Sequence, residues 1–127
     1  MNFDRLLFCV RDIKTVLIPD FIKSICSYAF NECQKIQKIE FSKESNLETI
    51  ESEAFINSSI ENFKIPSKVN QIGENAFYCC FKLRRIEIPI DIELKIINKK
   101  AFTHSSIEKV RIPSQIKKID VEAFYYC

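Results

Sequence analysis

The sequence predicts an α/β solenoid, a right-handed superhelix with a parallel β-sheet on its concave face and short helical or 3-10 segments on its convex side. Three observations lead to this fold class. An Ala-Phe dipeptide recurs along the chain, apolar residues fall into columns around it, and a strand-like segment separates successive dipeptides. One such unit cannot bury its apolar side alone, whereas stacked units form a continuous core.

The Ala-Phe dipeptide marks the repeat. It occurs at Ala29-Phe30, Ala54-Phe55, Ala76-Phe77, Ala101-Phe102 and Ala123-Phe124. The phenylalanines are separated alternately by 25 and 22 residues, and Phe8 extends the series upstream by another 22. We therefore expect a continuous phenylalanine stack along the core, beside an alanine column that is small because the chain turns close to the next coil.

Further columns flank the dipeptide. An apolar residue stands four positions before each alanine and another stands seven positions before it, as in Ile72 and Val69. These three- and four-residue spacings predict a turn followed by a short helix or 3-10 segment on the convex side. A column of small residues three positions after each phenylalanine comprises Cys33, Ser58, Cys80, Ser105 and Cys127.

The segments between the dipeptides carry an apolar-x-x-apolar-x-apolar pattern, which predicts short strands with one buried face. They are Ile13/Val16/Ile18, Ile36/Ile39/Phe41, Ile60/Phe63/Ile65, Leu83/Ile86/Ile88 and Ile107/Val110/Ile112. Proline follows four of the five and ends the strand, because it lacks an N–H donor. The longer units carry two additional residues after the strand, outside the apolar columns, so that the core stays continuous while these loops vary.

The unit length and the motifs point to one family. The mean unit of about 23 residues lies within the range of leucine-rich repeats. The segment IPSKVNQIGENAFYCCFKLRRIEIP, residues 65–89, resembles the BspA-like leucine-rich repeat of bacterial surface antigens and of surface proteins of parasitic protists. The resemblance covers roughly residues 13–127, with two departures: Phe41-Ser42 lacks the proline, and only Gly73 keeps the glycine.

We expect a single leucine-rich repeat domain over residues 1–127, with about five units. Residues 1–12 are interpreted as a degenerate partial unit, and the array is interpreted as stopping mid-repeat at residue 127. Neither end shows the polar capping unit that solenoids normally need for solubility. Two interpretations follow: a fragment of a longer array, or ends that stack against another copy.

Composition and charge exclude several functional classes. The chain has 127 residues, of which 46% are hydrophobic and 28% charged, with a net charge of +2, which argues against disorder and against a nucleic-acid or anionic-membrane partner. The resemblance implies a protein-binding role such as adhesion and carries no catalytic residues. We predict a non-enzymatic protein–protein interaction module with no cofactor and no membrane insertion. The alternative is a structural or truncated repeat fragment that self-associates through uncapped ends.

The location of the chain is predicted in two ways. No signal peptide and no transmembrane segment is visible, so the residues predict an intracellular chain by default. The family resemblance instead implies the cell surface.

The cysteines are expected to be structural. Cys33, Cys80 and Cys127 alternate with serines in one column, which indicates small side chains packed between coils, and we predict buried free thiols there. Cys79 and Cys80 are adjacent and would form a strained disulfide. The cysteines and the single histidine lack the spacing of a zinc site, so no metal is expected.

Two polar motifs have an ordinary interpretation. His104 is predicted to be a solvated loop residue, because no third residue or oxyanion loop accompanies it and the neighbouring serines. Asn57-Ser58-Ser59 is a glycosylation sequon, which matters only on the secretory route.

The concave face is the main candidate for a binding site, because side chains between the buried strand positions point away from the core. The predicted partner-binding residues are Lys38, Glu40, Asn62, Lys64, Arg85, Glu87, Lys109 and Arg111. One interpretation is that Arg85, Lys109 and Arg111 contact an acidic protein partner. The other is that these side chains are solubilising charges, paired across neighbouring strands.

Overall fold

A computed structural model describes residues 3–7 and 12–127, which form a parallel β-solenoid of about five coils. The strands are β1 (Arg5–Leu6), β2 (Thr15–Ile18), β3 (Ser24–Ile25), β4 (Lys38–Phe41), β5 (Thr49–Ile50), β6 (Asn62–Lys64), β7 (Gln71–Ile72), β8 (Arg85–Glu87), β9 (Ile96–Ile97) and β10 (Lys118–Ile119). Half of the partial unit expected at residues 1–12, including Phe8, lies outside the described residues.

Two rows of parallel strands line the solenoid. The first sheet has the order β2-β4-β6-β8, and an isolated bridge between Arg85 and Lys109 extends it into the fifth coil. The second row consists of a sheet β1-β3-β5-β7, followed by the pair β9-β10. Four of the five predicted strand segments are confirmed, whereas the fifth forms only the bridge at Lys109.

The predicted phenylalanine stack is confirmed. Successive rings from Phe30 to Phe124 lie face to face, with centroids 4.6, 4.8, 5.1 and 5.2 Å apart. Phe63 meets Phe55 and Phe77 edge-on from the strand side, at 5.3 and 4.9 Å. Both arrangements suit the ring quadrupole, so the aromatic column is a packed core that runs through every coil.

The helical or 3-10 segments predicted on the convex side are wrong for the described residues, which form turns there. In each coil, the residue before the alanine and the second residue after the phenylalanine have positive φ, as at Asn75 (55°) and Cys79 (57°). Two left-handed residues four positions apart in each of these coils interrupt the right-handed run that any helix requires. Sequence spacing alone does not reveal this, since none of the ten left-handed residues is glycine.

Hydrogen bonds between coils replace the bonds that a helix would have made. From Phe30 to Phe102, the N–H group of each stacked phenylalanine donates to the alanine carbonyl of the next coil, as from Phe77 to Ala101 at 2.8 Å. The N–H group of Cys79 donates in the same direction, to Thr103 at 2.9 Å. The convex turns are therefore satisfied by their neighbours, and each coil depends on the next one.

The single glycine fills a place of close approach. A Cβ atom at Gly73 would lie 2.6 Å from the Cα of Ser52 in the preceding coil, closer than side chains tolerate against backbone. Gly73 also donates its N–H to the carbonyl of Ile50 at 2.8 Å. This contact explains why glycine occupies a column in which other units carry larger residues.

A polar cluster around Glu51 joins the first coils. Its carboxylate accepts hydrogen bonds from Arg5 at 2.7 Å, from the Ser24 hydroxyl at 3.1 Å and from the Ser27 N–H at 3.0 Å. Partial burial raises the pKa of Glu51, but these donors together outweigh burial and hold the pKa below its usual value of 4.5. The cluster stabilises the folded chain most when Glu51 is ionised.

Candidate functional site

The eight predicted partner-binding residues lie on one face of the solenoid. Each strand of the first sheet has an exposed-buried-exposed pattern, so that Asn62 and Lys64 face solvent while Phe63 enters the core. The strand register places Lys38 beside Asn62, Asn62 beside Arg85, and Arg85 beside Lys109. All eight side chains are exposed, as expected for positions between the buried strand residues.

The ion pairs on this face join residues of the same strand. One interpretation of the sequence had instead predicted pairs between neighbouring strands. Lys38 Nζ lies 2.6 Å from Glu40 Oε1, and Arg85 Nε lies 3.1 Å from Glu87 Oε1. All four side chains are largely solvated, so each pair adds little to the free energy of folding. The pairs do, however, neutralise both glutamates of the predicted site.

Three cations of the predicted site remain without a carboxylate. Within the described part of the chain, Lys64, Lys109 and Arg111 form no ion pair. The reason lies in the second exposed column, where the glutamate of β4 and β8 is replaced by Lys64 in β6 and by Arg111 in the fifth coil. These cations are therefore available to an external anion.

The unpaired cations border an open hollow of about 820 Å³, which we name the cationic hollow. Its lining residues are Lys64, Arg84, Arg85, Ile86, Glu87, Ile88, Pro89, Glu108, Lys109, Val110 and Arg111. Five of these side chains are basic and two are acidic, and one of the acidic ones, Glu87, is already paired. The hollow thus presents an excess of positive charge.

A second hollow of about 580 Å³, the inter-loop cleft, adjoins the first one. It is lined by Leu17, Lys38, Ile39, Glu40, Phe41, Ser42, Lys43, Ser45, Lys64, Ile65, Pro66, Ser67, Pro89 and Asp91. The additional residues of the two long units form its walls, Lys43 on one side and Asp91 on the other, while the short unit with Lys64 forms its floor. The cleft therefore follows from the alternation of long and short units in the sequence.

The cysteine column is buried in the inner coils and exposed at the last one. Cys80 is buried, donates its thiol to the Phe55 carbonyl at 3.0 Å, and lies 3.5 Å from the Ser58 hydroxyl. Burial raises its pKa to about 12, so the thiol is not ionised at neutral pH. The prediction of a buried thiol is wrong for Cys127, which is exposed because no coil packs over it in this structure.

His104 lies in a turn, as the sequence predicted, but its ring is only partly exposed. Its ring stacks on Tyr126 at 4.8 Å and meets the edge of Tyr78 at 5.7 Å. The left-handed backbone at His104 (φ 58°) directs it along the convex surface, onto the neighbouring coils. It is a packing residue between tyrosines.

The side chain of Gln34 forms hydrogen bonds with two residues of the glycosylation sequon. The Gln34 amide donates to the Asn57 carbonyl at 2.7 Å and accepts the Ser59 hydroxyl at 3.1 Å. Ser59 is buried. The sequon serines therefore have structural contacts in the folded chain.

The described residues contain neither a metal-binding cluster nor a membrane-spanning helix. Residues 3–7 and 12–127 contain no cluster of three or more His, Cys, Asp or Glu side chains that could hold a metal ion. No helix in this part of the chain is long and apolar enough to cross a membrane.

Comparison with known proteins identifies similar sequences and structures. Residues 2–127 match the BspA type leucine rich repeat region, in six copies. The solved structure of the pneumococcal vaccine antigen PcpA is similar over 89% of this chain and 28% of PcpA, with 30% identity and a TM-score of 0.84. No curated protein sequence matches this chain.

More distant solved structures share the fold. A leucine-rich repeat protein of Bacteroides ovatus has 21% identity over 91% of this chain and 35% of its own, with a TM-score of 0.67. A leucine-rich cell surface protein of Faecalibacterium prausnitzii has 17% identity over 89% of this chain and 51% of its own, with a TM-score of 0.51. This chain thus spans between about a quarter and a half of these three proteins.

Proposed function

Since the chain belongs to the BspA-type leucine-rich repeat family, we propose that it is a non-enzymatic protein-interaction module that binds its partner on the concave face. A sheet held by a continuous aromatic core is a rigid platform, which lowers the entropy lost on binding. The observation that carries the proposal is the set of unpaired cations at Lys64, Lys109 and Arg111. Because the family consists of binding modules, we assign this surface to a protein partner and not to an enzyme substrate.

The chemistry of the cationic hollow favours an acidic partner. Lys109 and Arg111 stand two residues apart with no carboxylate between them on this face, and Arg85 lies beside Lys109 across the sheet. Exposed cations of this kind attract carboxylates over a distance of about 10 Å at moderate salt and accelerate association. The affinity of the complex is therefore expected to fall as salt is added.

A charge-reversal experiment tests this proposal. The probe is a fluorescent peptide of ten glutamates, whose binding to the full chain is measured by anisotropy at low salt. We expect the double variant Arg85→Glu/Lys109→Glu to weaken binding by about tenfold or more. The matched control is Lys82→Glu/Lys99→Glu, which changes the net charge equally outside the cationic hollow. Equal affinities for both double variants would refute the proposal.

A role in adhesion or as a surface antigen extends this proposal to the cell. It is supported by the similarity to PcpA, a vaccine antigen, over most of this chain. The test is to tag the chain in its native cell and to label intact and permeabilised cells with an antibody. Labelling of intact cells is expected, and labelling only after permeabilisation would rule out a role in adhesion.

Self-association through the last coil is a second candidate function. In the preceding coils, the convex N–H groups donate to the following coil, as from Phe102 to Ala123. The equivalent N–H groups of Glu122, Phe124 and Tyr126 have no acceptor among the described residues, so they form an open edge that another chain could extend. If this edge drives assembly, light scattering should show species larger than one chain. The substitution Ile119→Lys in the last coil should lower the measured mass, whereas the control Ile90→Lys, at an exposed position in another coil, should leave it unchanged.

A further inference from the structure

The second exposed column of the first sheet reads Leu17, Glu40, Lys64, Glu87, Arg111 from the first coil to the fifth. Neighbouring strands in a sheet lie about 4.8 Å apart. Leu17 and Lys64 are therefore separated by about 10 Å, and so are Lys64 and Arg111, since two strand spacings lie between the members of each pair.

Three of these five side chains are not engaged in an ion pair among the described residues. Glu40 and Glu87 are each paired with the cation on their own strand. Lys64 and Arg111 have no ion pair among the described residues, and Leu17 is 64% exposed. The column thus presents an apolar group and two cations at regular intervals.

Lys64 connects the two hollows. It lines the cationic hollow together with Arg111, and it lines the inter-loop cleft together with Leu17. The cleft also contains the half-buried ring of Phe41, which rests against Phe63 of the core at 5.6 Å. A ligand that crosses the strands therefore passes from a basic surface to one that also offers the apolar side chains of Leu17 and Phe41.

We infer that the partner contributes an extended segment that crosses the strands of the concave face, with two carboxylates over Arg111 and Lys64 and an apolar side chain on Leu17 and Phe41. An extended segment in the polyproline II conformation advances about 3.1 Å per residue with three residues per turn, so its first, fourth and seventh side chains point to the same side at intervals of about 9–10 Å. The segment has acidic residues at its first and fourth positions and an apolar residue at its seventh, in either chain direction. This inference rests on the proposed function of the concave face.

The same geometry disfavours a polyanion of continuous charge, such as a nucleic acid. Its phosphates would meet Glu40 and Glu87 between the cations, whereas a peptide with acidic residues three apart passes over both glutamates with uncharged residues. The apolar position at Leu17 adds nothing for a phosphate backbone and gives a hydrophobic anchor to a peptide.

The test uses the full chain and fluorescent seven-residue peptides. One peptide has aspartate at positions one and four and phenylalanine at position seven, and a second has this order reversed. A third peptide has the same composition with the two aspartates and the phenylalanine adjacent. We expect one of the two spaced peptides to bind about tenfold more tightly than the adjacent one. Equal affinities, or no detectable binding of the spaced peptides, would overturn the inference.

Variants assign the contacts. Leu17→Ser should weaken binding of the spaced peptide by about tenfold, because the substitution removes the apolar side chain that anchors the peptide at this exposed position. Phe81→Ser is the control, since Phe81 is equally exposed at 64% but lies outside both hollows. If Lys109→Glu/Arg111→Glu weakens both the spaced and the adjacent peptide while Leu17→Ser has no effect, the acidic-partner proposal stands and this inference fails.

Discussion

Removal of the central ring of the aromatic column tests the solenoid core most directly. Phe77 is fully buried between Phe55 and Phe102, and Phe63 meets it edge-on. Truncation of a buried phenylalanine to alanine costs about 3–5 kcal/mol, and each aromatic pair adds about 0.5–1.5 kcal/mol beyond burial. The range for truncation already includes the contacts of the ring, and because three pairs are lost we expect Phe77→Ala to lie at its upper end, lowering the free energy of unfolding by about 4–5 kcal/mol.

Urea unfolding followed by circular dichroism measures this loss. A domain of this size has an m-value of about 1–3 kcal/mol per molar urea, so the midpoint should fall by about 2 M. The chain has no tryptophan, which makes circular dichroism the practical signal. Phe124→Ala, in which a half-buried ring stacks on one neighbour only, should cost clearly less than Phe77→Ala.

The control for this prediction is Phe81→Ala. Phe81 is 64% exposed, so its truncation should change the free energy of unfolding by less than about 0.5 kcal/mol. A loss below about 1 kcal/mol in Phe77→Ala, at an unchanged m-value, would refute the reasoning that the phenylalanine column holds the coils together.

Three further predictions concern single sites. Gly73→Ala should destabilise the chain by about 1–3 kcal/mol in urea, because its Cβ meets the backbone of the preceding coil, whereas the exposed neighbour Glu74→Ala should be nearly neutral. Iodoacetamide at pH 8 should alkylate Cys127 in the folded chain and Cys80 only after denaturation, since burial raises the Cys80 pKa to about 12; equal rates would contradict this burial. Glu51→Gln should lower the free energy of unfolding by about 1 kcal/mol at pH 7. The difference in this free energy between the variant and the parent chain should shrink as the pH falls below 4.5, the usual pKa of a glutamate, and through the lowered pKa of Glu51 in the folded state. A constant difference between pH 7 and pH 3 would mean that ionisation of Glu51 does not matter.

The core and the first sheet could be predicted from the sequence because they depend on periodic apolar residues. Stacked coils require like residues in columns, so the positions of the phenylalanines, alanines and strand isoleucines in the sequence specify which groups are buried. The exposed positions between the buried strand residues follow from the same alternation, which is why the eight concave-face residues were found on one surface.

The convex side could not be predicted in the same way. Residues such as Tyr28, Glu53 and Lys100 adopt left-handed backbone conformations that their own side chains do not favour. Hydrogen bonds from one coil to the next hold these conformations, and such bonds exist only after the coils have stacked. The same stacking places the ring of His104 between two tyrosines, although its flanking residues indicated an exposed loop.

The repeat, the apolar columns and the parallel sheet could all be inferred from residue types, because periodic burial requires apolar residues at regular intervals. Which concave charges are neutralised and where the hollows lie became clear only from the packed coils. Lys38 and Arg85 pair with the glutamate on their own strand, while Lys64 and Arg111 form no ion pair within residues 3–7 and 12–127. An exposed cation can pair along its own strand or with the next coil, and the side-chain geometry of the stacked coils decides between them. The hollows likewise depend on loops that project beside a shorter unit after the coils have stacked.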